Sequence, residues 1–410
     1  MDVVEKYTKK SEATASLGNK TKSSPPVGKV GDRSKLQELR SKRFELLASA
    51  RSIYVAAGAA AGLQFVQNYH RTAKCKYVPT GHQVAVNGAT ATGSAFYSGL
   101  ISCGCVWTCP VCAVKIQERR RQEIAKAINY AYANDLQPVL VTLTFPHSKS
   151  QTLSQLLPMQ ADALTRLRKG KLWDQFKAEI NYSGLIRSLE LTYGVNGWHP
   201  HTHELWFVGK GVDAEEIKEY VLDKWWSSCL KAGLVEDNKS EMLNFYKHAV
   251  DIKGNCSASD YLAKQDSSKN WGVDREVAKA TSKQGKKSGV HPFAFLTDEY
   301  KNINLWLEFS KAIKGKSQLF WSRGLKKKCG IDEISDEEIS EEQSEFDILG
   351  MIEFEEWKLI RDTKNRSKVL DIAENYPPDQ AWTEIKNLIF QLKLIQPVPQ
   401  SRLLIFEENQ

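Results

Sequence analysis

An α+β fold is predicted from three patterns in the sequence. Residues 139–147 and 190–203 alternate apolar and polar side chains, as strands do when successive residues face opposite sides. Runs near 113–128, 152–180 and 213–232 read as helices, and in the first of them Ile116, Ile124, Ala127 and Ile128 recur at helical spacing. Gly194-Val195-Asn196-Gly197 reads as a hairpin connection inside the second strand segment. With 410 residues and 41% hydrophobic composition, the chain can hold one substantial α+β domain plus appendages. No run approaches the roughly 18 apolar residues of a membrane helix. The net charge of +8 is consistent with a nucleic-acid partner.

Residues 1–35, rich in Lys, Ser, Thr and Gly, read as a mobile leader. A helical or mixed module follows over 36–130 and carries Cys103-Gly-Cys105-Val-Trp-Thr-Cys109-Pro-Val-Cys112. Cys109 and Cys112 have zinc-knuckle spacing, and two further thiols upstream can complete a tetrahedral Zn²⁺ site. With no signal peptide a cytoplasmic setting is expected, in which clustered thiols hold metal rather than form disulfides. The helix beyond the cluster gathers Arg119, Arg120 and Arg121 away from its apolar positions, where Arg119 and Arg120 can contact phosphates.

The segment 139–147 puts Val141, Leu143 and Phe145 on one face and Thr142 and Thr144 on the other, with His147 following Phe145-Pro146 at the strand end. The most informative stretch follows at 190–203, Glu-Leu-Thr-Tyr-Gly-Val-Asn-Gly-Trp-His-Pro-His-Thr-His. Three of the chain's 8 histidines, His199, His201 and His203, occupy alternate positions and so share one strand face. If Gly194 pairs with Gly197, Glu190 lies across from His201; if Asn196-Gly197 makes the turn, it faces His203. Either register places a carboxylate among imidazoles, a donor set for a divalent metal with open coordination positions.

His201-Thr202-His203 resembles the His-hydrophobe-His motif of the HUH endonucleases, and the surrounding sequence is most similar to rolling-circle replication initiators of plasmids and phages. Thr202 stands where the family has a large hydrophobe. The resemblance runs from Cys75 to Lys328. It includes the 139–147 strand as a first motif and Tyr261-Leu-Ala-Lys264 as a third. It implies an HUH nuclease domain over 136–328, with a central antiparallel sheet flanked by helices. It also implies a single nucleophilic tyrosine, Tyr261, assisted by Lys264, and a catalytic Mn²⁺ or Mg²⁺ on Glu190, His201 and His203. His147 and His199 would support that site.

In related initiators Cys105 is commonly serine, so Cys75 is implied as the fourth ligand beside Cys103, Cys109 and Cys112, with Cys105 its competitor. The implied partners are origin DNA with a single-stranded or hairpin nick site, and a host helicase and DNA polymerase. A tyrosine that follows the histidine motif favours replication over conjugative transfer, because relaxases carry theirs ahead of it. Tyr246 and Tyr300 are fallback nucleophiles. The alternatives are a transposase or relaxase of the same superfamily, and a zinc-bearing DNA-binding regulator that does not cleave.

Towards the C-terminus, Phe320-Trp-Ser-Arg-Gly-Leu-Lys-Lys-Lys328 offers an aromatic and basic DNA contact through Lys326 and Lys327. An acidic linker follows over 329–347, with nine acidic and no basic residues between 332 and 347. Residues 348–410 read as a helical appendage.

Overall fold

The computed structural model describes residues 30–63, 69–89, 93–254, 289–342 and 345–395. Its strands, in chain order, are β1 (Gln83–Ala89), β2 (Ala95–Ser98), β3 (Leu136–Leu143), β4 (Gly184–Gly194), β5 (Gly197–Gly209), β6 (Val250–Lys253), β7 (Leu319–Trp321) and β8 (Phe346–Glu353). They form two sheets. One has five strands in the order β6-β3-β5-β4-β7, and the other has three in the order β2-β1-β8. Every pairing is antiparallel and helices pack against both sheets, so the α+β expectation holds.

The five-stranded sheet is covered on its two faces by different helices. On one face Val139, Val141, Leu143, Leu185 and Trp206 join Leu156 and Leu157 of the Leu153–Leu167 helix and Val221 and Trp225 of the Ala214–Lys231 helix. Trp225 also donates its indole N–H to the Thr144 carbonyl at 2.8 Å. Thr152 starts the first of these helices with a capping box to Gln155, satisfying two of its free amides. On the opposite face Leu140, Ile186, Leu205 and Phe207 receive Ile124, Ala127 and Ile128 of the Pro110–Ala133 helix. Each of these fully buried aliphatic side chains contributes roughly 1.5–3 kcal/mol. That helix covers only half of its face. The other half carries the histidines.

The segment expected as a helical appendage begins with a strand. β8 pairs with β1 along its length, and the helices Phe354–Asp362, Arg366–Asn375 and Pro378–Ile395 close a second core over that sheet. In this core Val84, Val86 and Tyr97 meet Trp357, Ile360, Val369 and Ile385. The acidic stretch read as a linker is likewise packed. Its Asp336–Glu341 helix docks on the Pro110–Ala133 helix, buries Ile339 completely and sets Asp336 on Arg120 at 2.9 Å. Opposite charges written far apart in the chain are paired in space.

One ion pair ties the N-terminal helix, Val30–Ala60, to the C-terminal unit. Arg40 donates to Glu374 at 2.9 Å and also to Asp371, and the Glu374 side chain is only 8% exposed. Burial raises the Glu374 pKa, but hydrogen bonds from Arg40 and the Ala95 amide outweigh it and leave the carboxyl below its ordinary range. Arg40→Ala is therefore expected to cost about 3–5 kcal/mol in a urea melt at neutral pH, since it strands a buried carboxylate. A depressed folded pKa means that this stabilisation is complete above the unfolded carboxylate pKa and is lost as pH falls towards the folded one. The gap between variant and wild type should thus narrow in acid.

Candidate active site and metal centre

The hairpin register places the site. Gly194 pairs with Gly197, so Glu190 sits directly across from His201, and Val195-Asn196 forms the turn. Gly197 has φ +90°, and a Cβ there would come within 2.9 Å of the Lys149 Cα. Glycine is therefore required both for the turn and for its seat against the loop that leaves β3. On the neighbouring strand Thr142 pairs with His203.

The side chains converge as these registers demand. Glu190 Oε2 lies 3.3 Å from His201 Nε2 and 3.1 Å from His203 Nε2. Thr142 Oγ1 holds the other nitrogen of His203 at 3.0 Å, which leaves Nε2 to face the carboxylate. His201 Nδ1 lies 3.3 Å from the His199 carbonyl. The three side chains keep 13–29% exposure, enough for a phosphate to approach. Burial raises the Glu190 pKa, but the two histidines outweigh it and hold the carboxyl well below the usual carboxylate range. A carboxylate that stays ionised beside two imidazoles is a fitting donor set for a hard or borderline divalent ion.

His199 stands one step along the same face. Its Nε2 meets Thr144 Oγ1 at 2.5 Å, and its ring stacks on His201 at 4.7 Å and on His147 at 4.5 Å. Burial and the neighbouring imidazoles push His199 down to about 3, so it is neutral at physiological pH. His147 is lowered as well, chiefly by burial. The structure therefore places both beside the Glu190–His201–His203 group rather than within it. His291 was missed in the sequence. Its neighbour Val290 bridges Tyr193, and its imidazole feels the Glu190 charge, yet burial lowers it to about 4. A solitary histidine far along the chain gives no pattern to find.

The candidate nucleophile Tyr261 and its partner Lys264 lie outside the described residues. Of the fallback tyrosines, Tyr246 donates to Asp223 at 2.7 Å, and partial burial with that carboxylate pushes its phenol up to about 12. That is opposite to the activation a nucleophile requires. Tyr300 is exposed at 46%.

The thiols form a second centre. Cys75, at the end of the Arg71–Lys74 helix, meets Cys103, Cys109 and Cys112, and all four sulfurs lie within 4.8 Å of one another. Separations of 3.5 Å (Cys75–Cys112), 3.6 Å (Cys75–Cys109) and 3.8 Å (Cys103–Cys112) exclude disulfides. They match the edge of about 3.8 Å in a tetrahedron with metal–sulfur bonds near 2.3 Å. Cys109 caps the Pro110–Ala133 helix by accepting the Cys112 amide, which shapes the knuckle. Gly104, at φ +60°, lets the preceding loop pass the Glu337 backbone, 2.8 Å from where a Cβ would lie. Cys105 is turned aside, its thiol donating to the Cys103 carbonyl at 3.4 Å. The four-thiol group could therefore hold a metal ion without it.

Two residues expected on DNA are held internally instead. Arg120 donates to Glu123, Asp336 and the Ile334 carbonyl. Lys326 is 6% exposed and sits between Glu123 and Glu333, at 3.7 and 3.2 Å. Both neutralise carboxylates that the fold buries or draws close. Arg119 remains partly exposed near Glu123 and Glu342, and Lys327 is exposed. No described helix is long and apolar enough to cross a membrane.

A family model described as "Replication protein" matches residues 101–365. A protein named "Protein rep" from Streptomyces lividans is 28% identical over 307 residues, covering 59% of this chain and 67% of that relative. A Streptomyces cyanogenus protein named "Neomycin resistance protein" is 34% identical over 145 residues, covering 29% of this chain and 33% of that relative. No solved structure matches the chain. The family match takes in more than half of the sequence, including Glu190, His201, His203 and three of the four clustered thiols, and the chain belongs to the Rep_1 family of replication proteins.

Proposed function

We propose that this replication protein is a metal-dependent HUH nickase that initiates rolling-circle replication of a plasmid-type element in the cytoplasm. One observation carries the reading. Glu190, His201 and His203 present three donor atoms on an open sheet face, with Thr142 fixing the His203 ring. These three residues would hold a divalent ion, Mn²⁺ or Mg²⁺, which would supply Lewis-acid polarisation of the scissile phosphate. Tyr261 loses its phenolic proton and its oxygen bonds to phosphorus. The P–O3′ bond breaks, and the departing oxygen takes up a proton to become a free 3′-OH. The 5′ phosphate stays on the tyrosine, which keeps the energy of the broken bond for later rejoining. Lys264 stabilises the phenolate, whose ordinary pKa near 10 makes the phenol a weak nucleophile at neutral pH. Neutral His199 and His147 extend the polar wall along which the strand lies.

The substrate under this reading is origin DNA, exposed as a hairpin or single strand. A host helicase and polymerase take over at the 3′ end. Arg119 and Lys327 contact phosphates. Zn²⁺ on Cys75, Cys103, Cys109 and Cys112 is structural and sets the Pro110–Ala133 helix on the nuclease sheet.

The test incubates the protein with 3′-labelled single-stranded oligonucleotides tiled across its own genetic element, with Mn²⁺ or with EDTA. A labelled protein–DNA adduct on a denaturing gel, present with Mn²⁺ and absent with EDTA, is the expected result. Tight DNA binding with no adduct from any tile would instead favour a non-cleaving regulator.

A further inference from the structure

The sheet face opposite the histidines holds a groove of about 710 Å³ that the nicking chemistry does not use. It lies between the Leu153–Leu167 helix and the β4–β7 edge of the sheet. Its size falls within the roughly 300–1,000 Å³ of small-molecule sites. Polar groups are buried in its walls without partners. Gln160 is 2% exposed and Thr202 is 1% exposed, yet among the described residues Gln160 Nε2, Thr202 Oγ1 and Arg168 Nε make no hydrogen bond. Arg168 is engaged with Glu204, but a buried polar atom left unpaired costs about 1–3 kcal/mol, so the Gln160 amide and Thr202 hydroxyl beside one cavity mark a place where a polar ligand fits.

The charge of the groove indicates what kind of ligand. The carboxylate behind it, Glu204, is fully buried and accepts from Arg168 and from the Trp206 indole through Oε2, while its Oε1, like Arg168 Nε, has no partner among the described residues. Arg187, Lys316 and Arg323 also line it, and none of them has a carboxylate partner within 4 Å among the described residues. The Arg187 guanidinium lies over the Phe320 ring at 4.6 Å, and that ring is 46% exposed. Burial lowers the Arg187 pKa, a desolvation cost that an anion would offset. A cation stacked on an exposed aromatic ring, next to an amide and a hydroxyl with free valences, provides the contacts of a nucleotide. The ring stacks the base, the cations hold phosphate, and the amide and hydroxyl meet the base edge.

We propose that this groove is a second, non-catalytic site that holds unpaired nucleotides of single-stranded DNA on the far side of the sheet from the histidines. The choice of DNA as the source of the nucleotide rests on the nicking reading above. A smaller cavity of about 440 Å³ lies across β7 and shares Ser317, Gln318 and Phe320 with the groove. The two meet at the sheet edge, but the smaller one carries Glu333, Asp336 and Glu337 and so is not a continuation for a phosphate backbone. Thr202 then has a role of its own. A hydroxyl at the middle of the histidine motif faces this groove, where a large hydrophobe would line it with hydrocarbon.

Fluorescence anisotropy with a labelled oligothymidine of about ten nucleotides tests this with the full chain. Phe320→Ala is expected to weaken binding roughly tenfold. Lys316→Ser with Arg323→Ser should reduce the slope of log affinity against log salt by about 0.7 per lost phosphate contact. Gln160→Leu serves as the control for a purely structural groove. It should weaken binding while leaving the thermal melt unchanged or higher, because it removes an unpaired amide. Unchanged affinity in all three variants, while wild type binds the strand and forms the adduct, overturns the groove assignment and leaves the nicking reading intact. Competition by thymidine monophosphate at concentrations comparable to the oligonucleotide overturns the DNA assignment in favour of a free nucleotide. Failure of wild type to bind single strands or form any adduct overturns both readings together.

Discussion

Replacing His201 and His203 together with alanine is expected to lower the nicking rate by at least about 10³-fold, and Tyr261→Phe to abolish the covalent adduct altogether. The two losses have different physical origins. Without the imidazoles, Glu190 alone cannot hold a divalent ion, and charge gathering on the scissile phosphate loses its electrostatic stabilisation. Loss of even one such preorganised donor typically costs ~10²–10³ in rate. Tyr261→Phe leaves the Glu190–His201–His203 group untouched but removes the oxygen that bonds to phosphorus in the proposed reaction. Single-turnover nicking of an origin oligonucleotide separates these effects. The histidine variant should be partly rescued by raised Mn²⁺ if one imidazole is restored, whereas the phenylalanine variant should not respond to metal at any concentration. An adduct that survives in Tyr261→Phe would move the nucleophile elsewhere. Tyr300 would then be tested first, because the phenol of Tyr246 is raised by burial and Asp223. The histidine variant should also melt below wild type, because it leaves the largely buried Glu190 carboxylate without the two imidazoles that hold it ionised.

The histidine face could be read before the structure because a strand enforces strict alternation. Once 199, 201 and 203 are histidine, sharing a face follows from backbone geometry. The hairpin glycines then limited Glu190 to two registers, and the fold takes the one opposite His201. Thr142 and Thr144 were recognisable as one polar face, although their hydrogen bonds to His203 and His199 required the β3–β5 register to be known. Pairings between distant segments were not legible. β8 reads as part of an acidic and aromatic run, and nothing local announces that it joins β1 across more than two hundred residues. The same distance concealed the fate of Arg120 and Lys326. Each looks like a phosphate contact from its own neighbours, and each is claimed by a carboxylate about two hundred residues away, Asp336 for Arg120 and Glu123 for Lys326. The far-side groove was hidden in the same way. Alternation sets Thr202 on the face away from His201 and His203, but the other walls of the groove come from the Leu153–Leu167 helix and the β7 segment, which are distant in the chain.

Cys109→Ser is expected to empty the four-thiol centre and unfold the N-terminal module, whereas Cys105→Ser should leave bound Zn²⁺ and stability unchanged. Structural zinc in small domains contributes about 10–16 kcal/mol of apparent binding energy, comparable to or above the whole stability of a typical domain. Here that energy would act at a junction. Cys75 comes from the end of one helix, Cys103 from a loop, and Cys109 with Cys112 from the start of the Pro110–Ala133 helix. This helix carries Ile124, Ala127 and Ile128 onto Leu140 and Leu205, on the face that also bears the histidines. Loss of zinc should therefore reach the histidine-bearing sheet through the packing of one helix, without touching Glu190 or the imidazoles. The two metals can be told apart by how activity returns. Brief EDTA treatment should be reversed by Mn²⁺ alone, because it empties only the open site. Prolonged treatment with a strong zinc chelator should release zinc measurable by a colorimetric dye, lower the melting temperature and leave nicking unrecoverable by Mn²⁺. Full recovery with Mn²⁺ after the zinc has been removed would show that the thiol centre does not hold the helix in place.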